Sequence, residues 1–295
     1  MSRRRISAVL TALVIGGSTP LLLPAQSASA APCSSYASWV AGRSYVTGDI
    51  VRYTDGRAYI AEHDNPGYDP TISTWYWEPY ACENGPTTPS GFVVSEAQFN
   101  QMFPNRNSFY TYSGLRAAMS AYPAFATTGS DTVKKREAAA FLANVSHETG
   151  GLVHIVEQNT ANYPTYCDWS QSYGCPAGQA AYYGRGPIQL SWNFNCKAAG
   201  DALGLNLLGN PWLVQNDAAV AWKTALWYWN TQKGPGTMTG HNAMVNSAGF
   251  GHTIRSINGS LECDGKNPAQ VQSRVSAYQR FVQILGTTAG GNLYC

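Results

Sequence analysis

The chain is 295 residues long and carries 19 Lys and Arg against 17 Asp and Glu, a formal charge of +2. Charged residues make up only 12% of it, and beyond the first five residues the longest basic run is the three residues Lys134-Lys135-Arg136, so the pattern gives no footprint for nucleic acid. Aromatic residues are as frequent, with 9 Trp and 18 Tyr, and such rings either fill a core or stack on the C–H faces of sugars.

Residues 1–30 read as a secretory signal peptide. Arg3-Arg4-Arg5 opens it, an apolar stretch broken by Gly and Pro follows, and Ala28-Ser29-Ala30 supplies a small-residue site with the cut after Ala30. The apolar run is short for a membrane anchor. Cleavage removes three basic residues and no acid, leaving 16 basic against 17 acidic residues and a formal charge of −1. A neutral extracellular substrate suits that balance better than a nucleic acid or a membrane. An exported chain keeps disulfides, and this one has 7 Cys. Their spacing predicts Cys33–Cys82 closing a module, Cys167–Cys175 stapling a loop and Cys263–Cys295 tying back the C-terminus. Cys196 is then left as a buried free thiol.

Residues 31–83 read as a small all-β, disulfide-closed module. In YVTGDIVRYTDGRAYIAEH, Asp55-Gly56 stands between Val51-Arg52-Tyr53 and Ala58-Tyr59-Ile60 as a hairpin turn. A unit of about fifty residues buries little core, so a disulfide helps it. Residues 84–91 form a short Pro/Thr/Ser linker. From residue 92 the pattern is helical. Ser95 and Gln98 form a capping box. SDTVKKREAAAFLANVSHE predicts a helix capped by Ser130 or Asp131 and stopped by Gly150-Gly151. AVAWKTALWYW, residues 219–229, is apolar enough to be central, and a third helix runs from Asn267-Pro268 to Gly286. Residues 92–295 are therefore expected to be mainly α.

Residues 146–158, SHETGGLVHIVEQ, hold two His and two Glu. A zinc helix needs His-Glu-x-x-His, but His147 and His154 are seven apart across Gly150-Gly151, so no helix carries both on one face. The carboxylates fit better. Glu148 shares a helix face with Phe141 and Val145, and apolar surroundings favour the neutral acid that a leaving glycosidic oxygen needs. Glu157 lies among Gln158, Asn159 and Asn162, where an ionised carboxylate can act as base on water. A capping Glu and a solvated loop Glu remain the plain alternative.

In AAYYGRGPIQLSWNFNC, residues 180–196, Gly184, Gly186 and Pro187 fix a tight backbone. Alternation along an extended stretch would put Gln189, Ser191, Asn193 and Asn195 on one wall, beside Tyr182, Tyr183 and Trp192. Amides there can both donate to and accept from acetamido groups and hydroxyls. A structural Gly-rich turn is the competing account.

NVSHETGG, YYGRGPIQLSWNFN, AWKTALWYW and IRSINGSLEC together resemble the family 19 glycoside hydrolases, the plant-type endochitinases, over roughly residues 91–295. The resemblance is to the compact streptomycete members. It implies a lysozyme-like, bilobal, mainly α fold and inverting hydrolysis of β-1,4 bonds between N-acetylglucosamine units, with no cofactor and no metal. By position it implies Glu148 as general acid, Glu157 as general base and Ser191 as a partner in holding the water. It implies Gln189, Asn195, Lys223 and Asn258 as substrate contacts, with Thr149 orienting the chain beside the acid. Cys196 stands where related members usually carry an aromatic residue.

The module's W-x-x-G-x-x-Y-x-x-G-D-x-V and W-E-P-Y-x-C pieces resemble the family 5/12 chitin-binding group. Many members have a Trp pair where this chain reads Glu62-His63-Asp64. Binding then falls to Tyr68, Trp75, Tyr76 and Trp77, with Trp75 and Trp77 expected on one face and Tyr76 on the other. The expected partners are chitin and chitooligosaccharides, the expected state a monomer, and the expected location extracellular. A muramidase on the same fold and a lectin-like protein without activity are the competing readings.

Overall fold

The computed structural model describes residues 31–295 except 55, 74, 81 and 83–91. The predicted signal peptide and linker lie outside the described residues.

The N-terminal part is a four-stranded sheet of β1 (Ala37–Ser38), β2 (Ile50–Arg52), β3 (Ala58–Ala61) and β4 (Trp77–Tyr80), in that order. β1 runs parallel to β2, and the other pairs are antiparallel, with Val51 facing Tyr59 and Tyr59 facing Pro79. Tyr45, Val51, Tyr59, Ala61 and Trp77 form its core. So small a cluster gives limited stability, and Cys33–Cys82 closes the unit across 49 residues of sequence. In chain-entropy terms a loop of that size stabilises by about 4 kcal/mol.

The expected face-sharing of Trp75 and Trp77 does not occur. β4 begins only at Trp77, so residue 75 precedes the pleat and the period of two does not reach it. Trp77 is 1% exposed, packs edge-on to Tyr45 and donates its indole N–H to the Tyr68 carbonyl at 2.8 Å. Trp75 is 67% exposed and lies flat on His63, with ring centroids 4.2 Å apart.

The remaining structure is helical: α1 (Glu96–Met102), α2 (Tyr112–Ala118), α3 (Asp131–Thr149), α4 (Asn193–Leu203), α5 (Leu213–Asn216), α6 (Ala218–Thr231), α7 (Gly240–Val245), α8 (Phe250–Glu262) and α9 (Pro268–Ile284). The Ser95–Gln98 capping box is formed in both directions at α1. Ser130, not Asp131, caps α3, while Asp217 and Asn267 cap α6 and α9. Each such cap contributes about 1 kcal/mol.

Every residue of α3 from Glu137 to Val145 is buried, so this helix is surrounded on all sides. It packs against α9, α7 and α8. α6 is nearly as enclosed, and Trp222 meets Phe99, Tyr110 and Phe141. Glu137 is a charged side chain within this largely apolar centre. It is fully buried, accepting hydrogen bonds from the Ala126 N–H and the Trp229 indole and pairing with His241 Nδ1 at 2.7 Å. Two further disulfides, Cys167–Cys175 and Cys263–Cys295, fasten a loop and the C-terminus. Cys196 is free and buried, and burial pushes its thiol up to about 12. No described helix is long and apolar enough to cross a membrane. The small sheet meets the helical part where Ile72 packs on the helical core and Lys223 Nζ donates to the Thr71 carbonyl at 2.7 Å.

Candidate active site

A cleft of about 1010 Å³ opens in the helical part, and Glu148, Glu157 and Ser191 all line it. Glu148 reaches it from the last turn of α3. Gly150 ends that helix at φ 61°, a left-handed conformation that glycine adopts without steric cost, and Thr149 secures the turn. The Thr149 hydroxyl donates to the Val145 carbonyl at 2.6 Å and accepts from the Leu152 N–H at 2.7 Å. Thr149 is fully buried and does not face the cleft. The same helix end separates His147 from His154. His147 sits against the Ser273 hydroxyl at 3.1 Å, whereas His154 lines the cleft. Among the described residues no cluster of His, Cys, Asp and Glu could hold a metal.

The surroundings of Glu148 are not the simple apolar wall its helix face suggested. Arg274, on α9 and 1% exposed, donates Nη2 to the Glu148 carboxylate. It also makes a two-pronged pair with Glu262 of α8, from Nε at 2.8 Å and Nη2 at 2.7 Å, and donates Nη1 to Asn144 at 3.1 Å. Burial alone would raise the Glu262 carboxyl, but the hydrogen bonds and charge of Arg274 hold it below its ordinary value. Asn258 donates at 2.8 Å to Glu262 Oε1, the oxygen that also accepts from Arg274 Nη2. His147 beside this cluster is kept below its usual value by burial and then by the Arg274 charge. The Tyr228 hydroxyl, also on the cleft, is pushed up to about 12 by burial, with Glu148 adding to the shift.

Glu157 stands in a different setting. Oε1 accepts from Asn162 Nδ2 at 2.9 Å and from the Tyr166 hydroxyl at 3.0 Å, and Oε2 accepts from the Gly184 N–H at 3.4 Å. Burial, and then the contact with Glu157, push the Tyr166 hydroxyl up to about 12, so it remains a donor. Three hydrogen bonds fix the carboxylate's orientation.

The GRGPIQ segment forms the adjoining wall as a closed turn. Arg185 and Leu190 exchange backbone hydrogen bonds at 3.2 and 2.9 Å. Gly186 has φ 70°, and a Cβ there would lie 3.1 Å from Val214, so a larger residue would push the turn off α5. Gln189 and Trp192 take positive φ of 51° and 77°, and α4 starts at Asn193. The stretch is therefore not extended, and the expected alternation breaks. Gln189, Ser191 and Asn195 do line the cleft. Asn193 is instead buried, bonding the Asp168 N–H and carbonyl and the Gly174 carbonyl across the Cys167–Cys175 loop. Trp192 and Phe194 stack at 5.5 Å, and both line the cleft.

Asn258 also lines the cleft, at a kink inside α8. Besides Thr149 and Asn193, two further expected residues do not line the cleft. Tyr182 is fully buried with its hydroxyl donating to the Leu208 carbonyl at 2.8 Å, so it is core. Lys223 is absent from the cleft lining and turns toward the small sheet. Arg274 and Glu262 went unforeseen. Their signal was present: Arg274 interrupts the buried stripe of Val271, Val275, Tyr278, Phe281 and Val282. A cation at such a position requires a buried acid.

A family model for chitinase class I, glycoside hydrolase family 19, matches residues 93–295. The chain is 46% identical over 210 residues to endochitinase A of Zea mays, covering 69% of this chain and 71% of that relative. Among solved structures it is similar to chitinase C from Streptomyces griseus HUT6037, at 79% identity and a TM-score of 0.69, over 70% of this chain and 99% of that one. It is also similar to a class IV chitinase from Zea mays, at 45% identity and a TM-score of 0.61, over 70% and 98% of the two chains. On these matches, the chain belongs to family 19 of the glycoside hydrolases, the chitinase family.

Proposed function

We propose that the protein is a secreted endochitinase that hydrolyses β-1,4 bonds between N-acetylglucosamine units with inversion, Glu148 acting as general acid and Glu157 as general base. The observation that carries this reading is one cleft lined by two carboxylates in contrasting settings, with Ser191 between the polar groups of its wall. In the reaction the Glu148 carboxylic acid gives its proton to the glycosidic oxygen as the bond to C1 breaks. Glu157 takes a proton from a water, whose oxygen bonds to C1 from the opposite face. The products are a sugar with an inverted anomeric hydroxyl and a shortened chain with a free hydroxyl.

The Arg274 cluster supports these roles. It contains one guanidinium and two carboxylates. Glu262 takes up much of the cation's charge through two hydrogen bonds, so Arg274 is not matched to Glu148 alone. When Glu148 loses its proton, Arg274 already touches the new anion, so no reorganisation is needed. Ser191 donates its hydroxyl proton to the Gln189 carbonyl at 2.8 Å, which turns its lone pairs toward the cleft to accept from the water. Gln189, Asn195 and Asn258 hold acetamido groups and hydroxyls, and Trp192 offers a ring face. The helices on either side of the cleft act as two lobes of a lysozyme-like fold, the protein works as a monomer, and no cofactor takes part.

The small sheet serves as a chitin-binding module. Exposed Trp75 stacked on His63, with Tyr68 tilted against Tyr76 at 4.8 Å, presents the ring surface, whereas Trp77 is spent on the core. Turnover of chitohexaose by Glu148→Gln and Glu157→Gln tests the assignment. Each is expected to lose roughly 10²–10⁴-fold in kcat with the fold intact. An active Glu148→Gln enzyme removes the acid role.

A further inference from the structure

Glu157 is held by a segment that has no core of its own. Thr160–Tyr166 is a 3-10 turn without one buried residue, yet it supplies both side chains, Asn162 and Tyr166, that bond the Glu157 carboxylate. Something outside the segment must fix it. Tyr163, in its middle, donates its hydroxyl to the Glu157 backbone carbonyl at 2.9 Å and lies on the Tyr183 ring, centroids 3.7 Å apart and planes 11° from parallel. So little offset is a poor arrangement for two isolated rings, whose negative faces repel. The far face of Tyr183 carries the Arg185 guanidinium, 3.5 Å from the centroid, and a cation there draws off that density.

Arg185 is committed to this place. It is 1% exposed, makes no ion pair with a carboxylate among the described residues, and its Nη2 has no hydrogen-bond partner. Its remaining bonds run to Gln215 at 2.8 Å and to the Tyr183 carbonyl at 3.0 Å. The Tyr183 hydroxyl donates to the same Gln215 oxygen at 3.1 Å. Gln215 thus fixes cation and ring together. None of Tyr163, Tyr183 or Arg185 lines the cleft.

We propose that the Arg185–Tyr183–Tyr163 stack is a positioning device for the general base, setting the Glu157 loop and its two carboxylate partners at the distance the attacking water requires. The inference rests on Glu157 being the base. Steady-state turnover of chitohexaose by the full chain tests it, with Tyr163→Ala, Tyr163→Phe, Glu157→Ala and the Tyr163→Ala/Glu157→Ala double variant, each checked for folding by a thermal melt. Misplacing a catalytic group by about an ångström costs up to roughly 10²-fold. Tyr163→Ala should therefore lower kcat by about 10- to 100-fold with KM within about twofold. Tyr163→Phe, which keeps the stacking ring, should recover most of that loss. In the Glu157→Ala background, Tyr163→Ala should change the residual rate by less than about twofold, because it acts through Glu157. A Tyr163→Ala enzyme with unchanged kcat, or one whose loss multiplies that of Glu157→Ala, overturns the stack's role while leaving the base intact. A Glu157→Ala enzyme at full rate overturns the base reading itself and the stack's role with it.

Discussion

Arg274 and Glu148 are joined across two helices: the buried guanidinium on α9 donates to the carboxylate that ends α3. The link ties the proposed acid to a fixed cation whose other prongs are held by Glu262 and Asn144, so the carboxyl cannot swing freely in the cleft.

Arg274→Met should therefore be costly in two ways. It leaves Glu262, itself 1% exposed, as an uncompensated buried charge, a loss of about 3–5 kcal/mol in urea unfolding. It should also lower kcat on chitohexaose. Arg274→Lys keeps the charge but not the planar fork, and should fall between the two. A stable, fully active Arg274→Met protein contradicts the account of the cluster.

Asn193 provides a second stability test. It was expected on the substrate wall, but its amide holds the Cys167–Cys175 loop through three hydrogen bonds. Asn193→Ala should cost about 1–3 kcal/mol in urea unfolding and leave KM for oligosaccharides nearly unchanged. A KM rise without a stability loss would return Asn193 to the cleft.

Two histidines should give stability opposite pH dependences. His241 is raised above 6.5, first by its hydrogen bond to buried Glu137. Its contribution is full below pH 6.5 and is lost as pH climbs through the raised value. His147 is lowered from 6.5, first by burial. It costs nothing above pH 6.5, and stability falls as pH drops from 6.5 toward its lowered value. The difference in unfolding free energy between wild type and His241→Asn should shrink from pH 6 to 9. The difference against His147→Asn should change on the acid side. A flat His241 difference would mean that no proton is gained there on folding.

Cys196 should be silent in the native state. Its thiol is 1% exposed and titrates near 12, so thiolate is scarce and access is closed. A thiol reagent at pH 8 should label native protein at the rate of global opening and denatured protein at once. Fast native labelling would place Cys196 nearer the surface.

Much of the fold was legible in the sequence. Strong local signals, such as the Ser95–Gln98 box, the Ala-rich α3 stopped by Gly150 and the apolar α6, agree with their surroundings. The cysteine spacing pointed to the three pairings that the structure forms. Errors arose where a period was carried past its element. Alternation was applied across Gln189–Asn195, where two positive-φ residues and a helix start intervene, and across Trp75–Trp77, where the strand begins only at Trp77, two residues later than the pattern assumed. Lys223 depends on where the small sheet lies, which no local pattern encodes. Glu262 and Arg274 meet Glu148 only through the packing of α3, α8 and α9, so no single window of sequence contains all three.

The central claim is a single displacement at C1 by a water that Glu157 activates while Glu148 protonates the leaving oxygen. It is tested most directly by the anomeric form of the first products released from chitohexaose, read by NMR before mutarotation. The account predicts that the new reducing ends appear as the α anomer and drift toward equilibrium. New reducing ends that appear first as the β anomer would contradict it, because they require two displacements and a covalent intermediate.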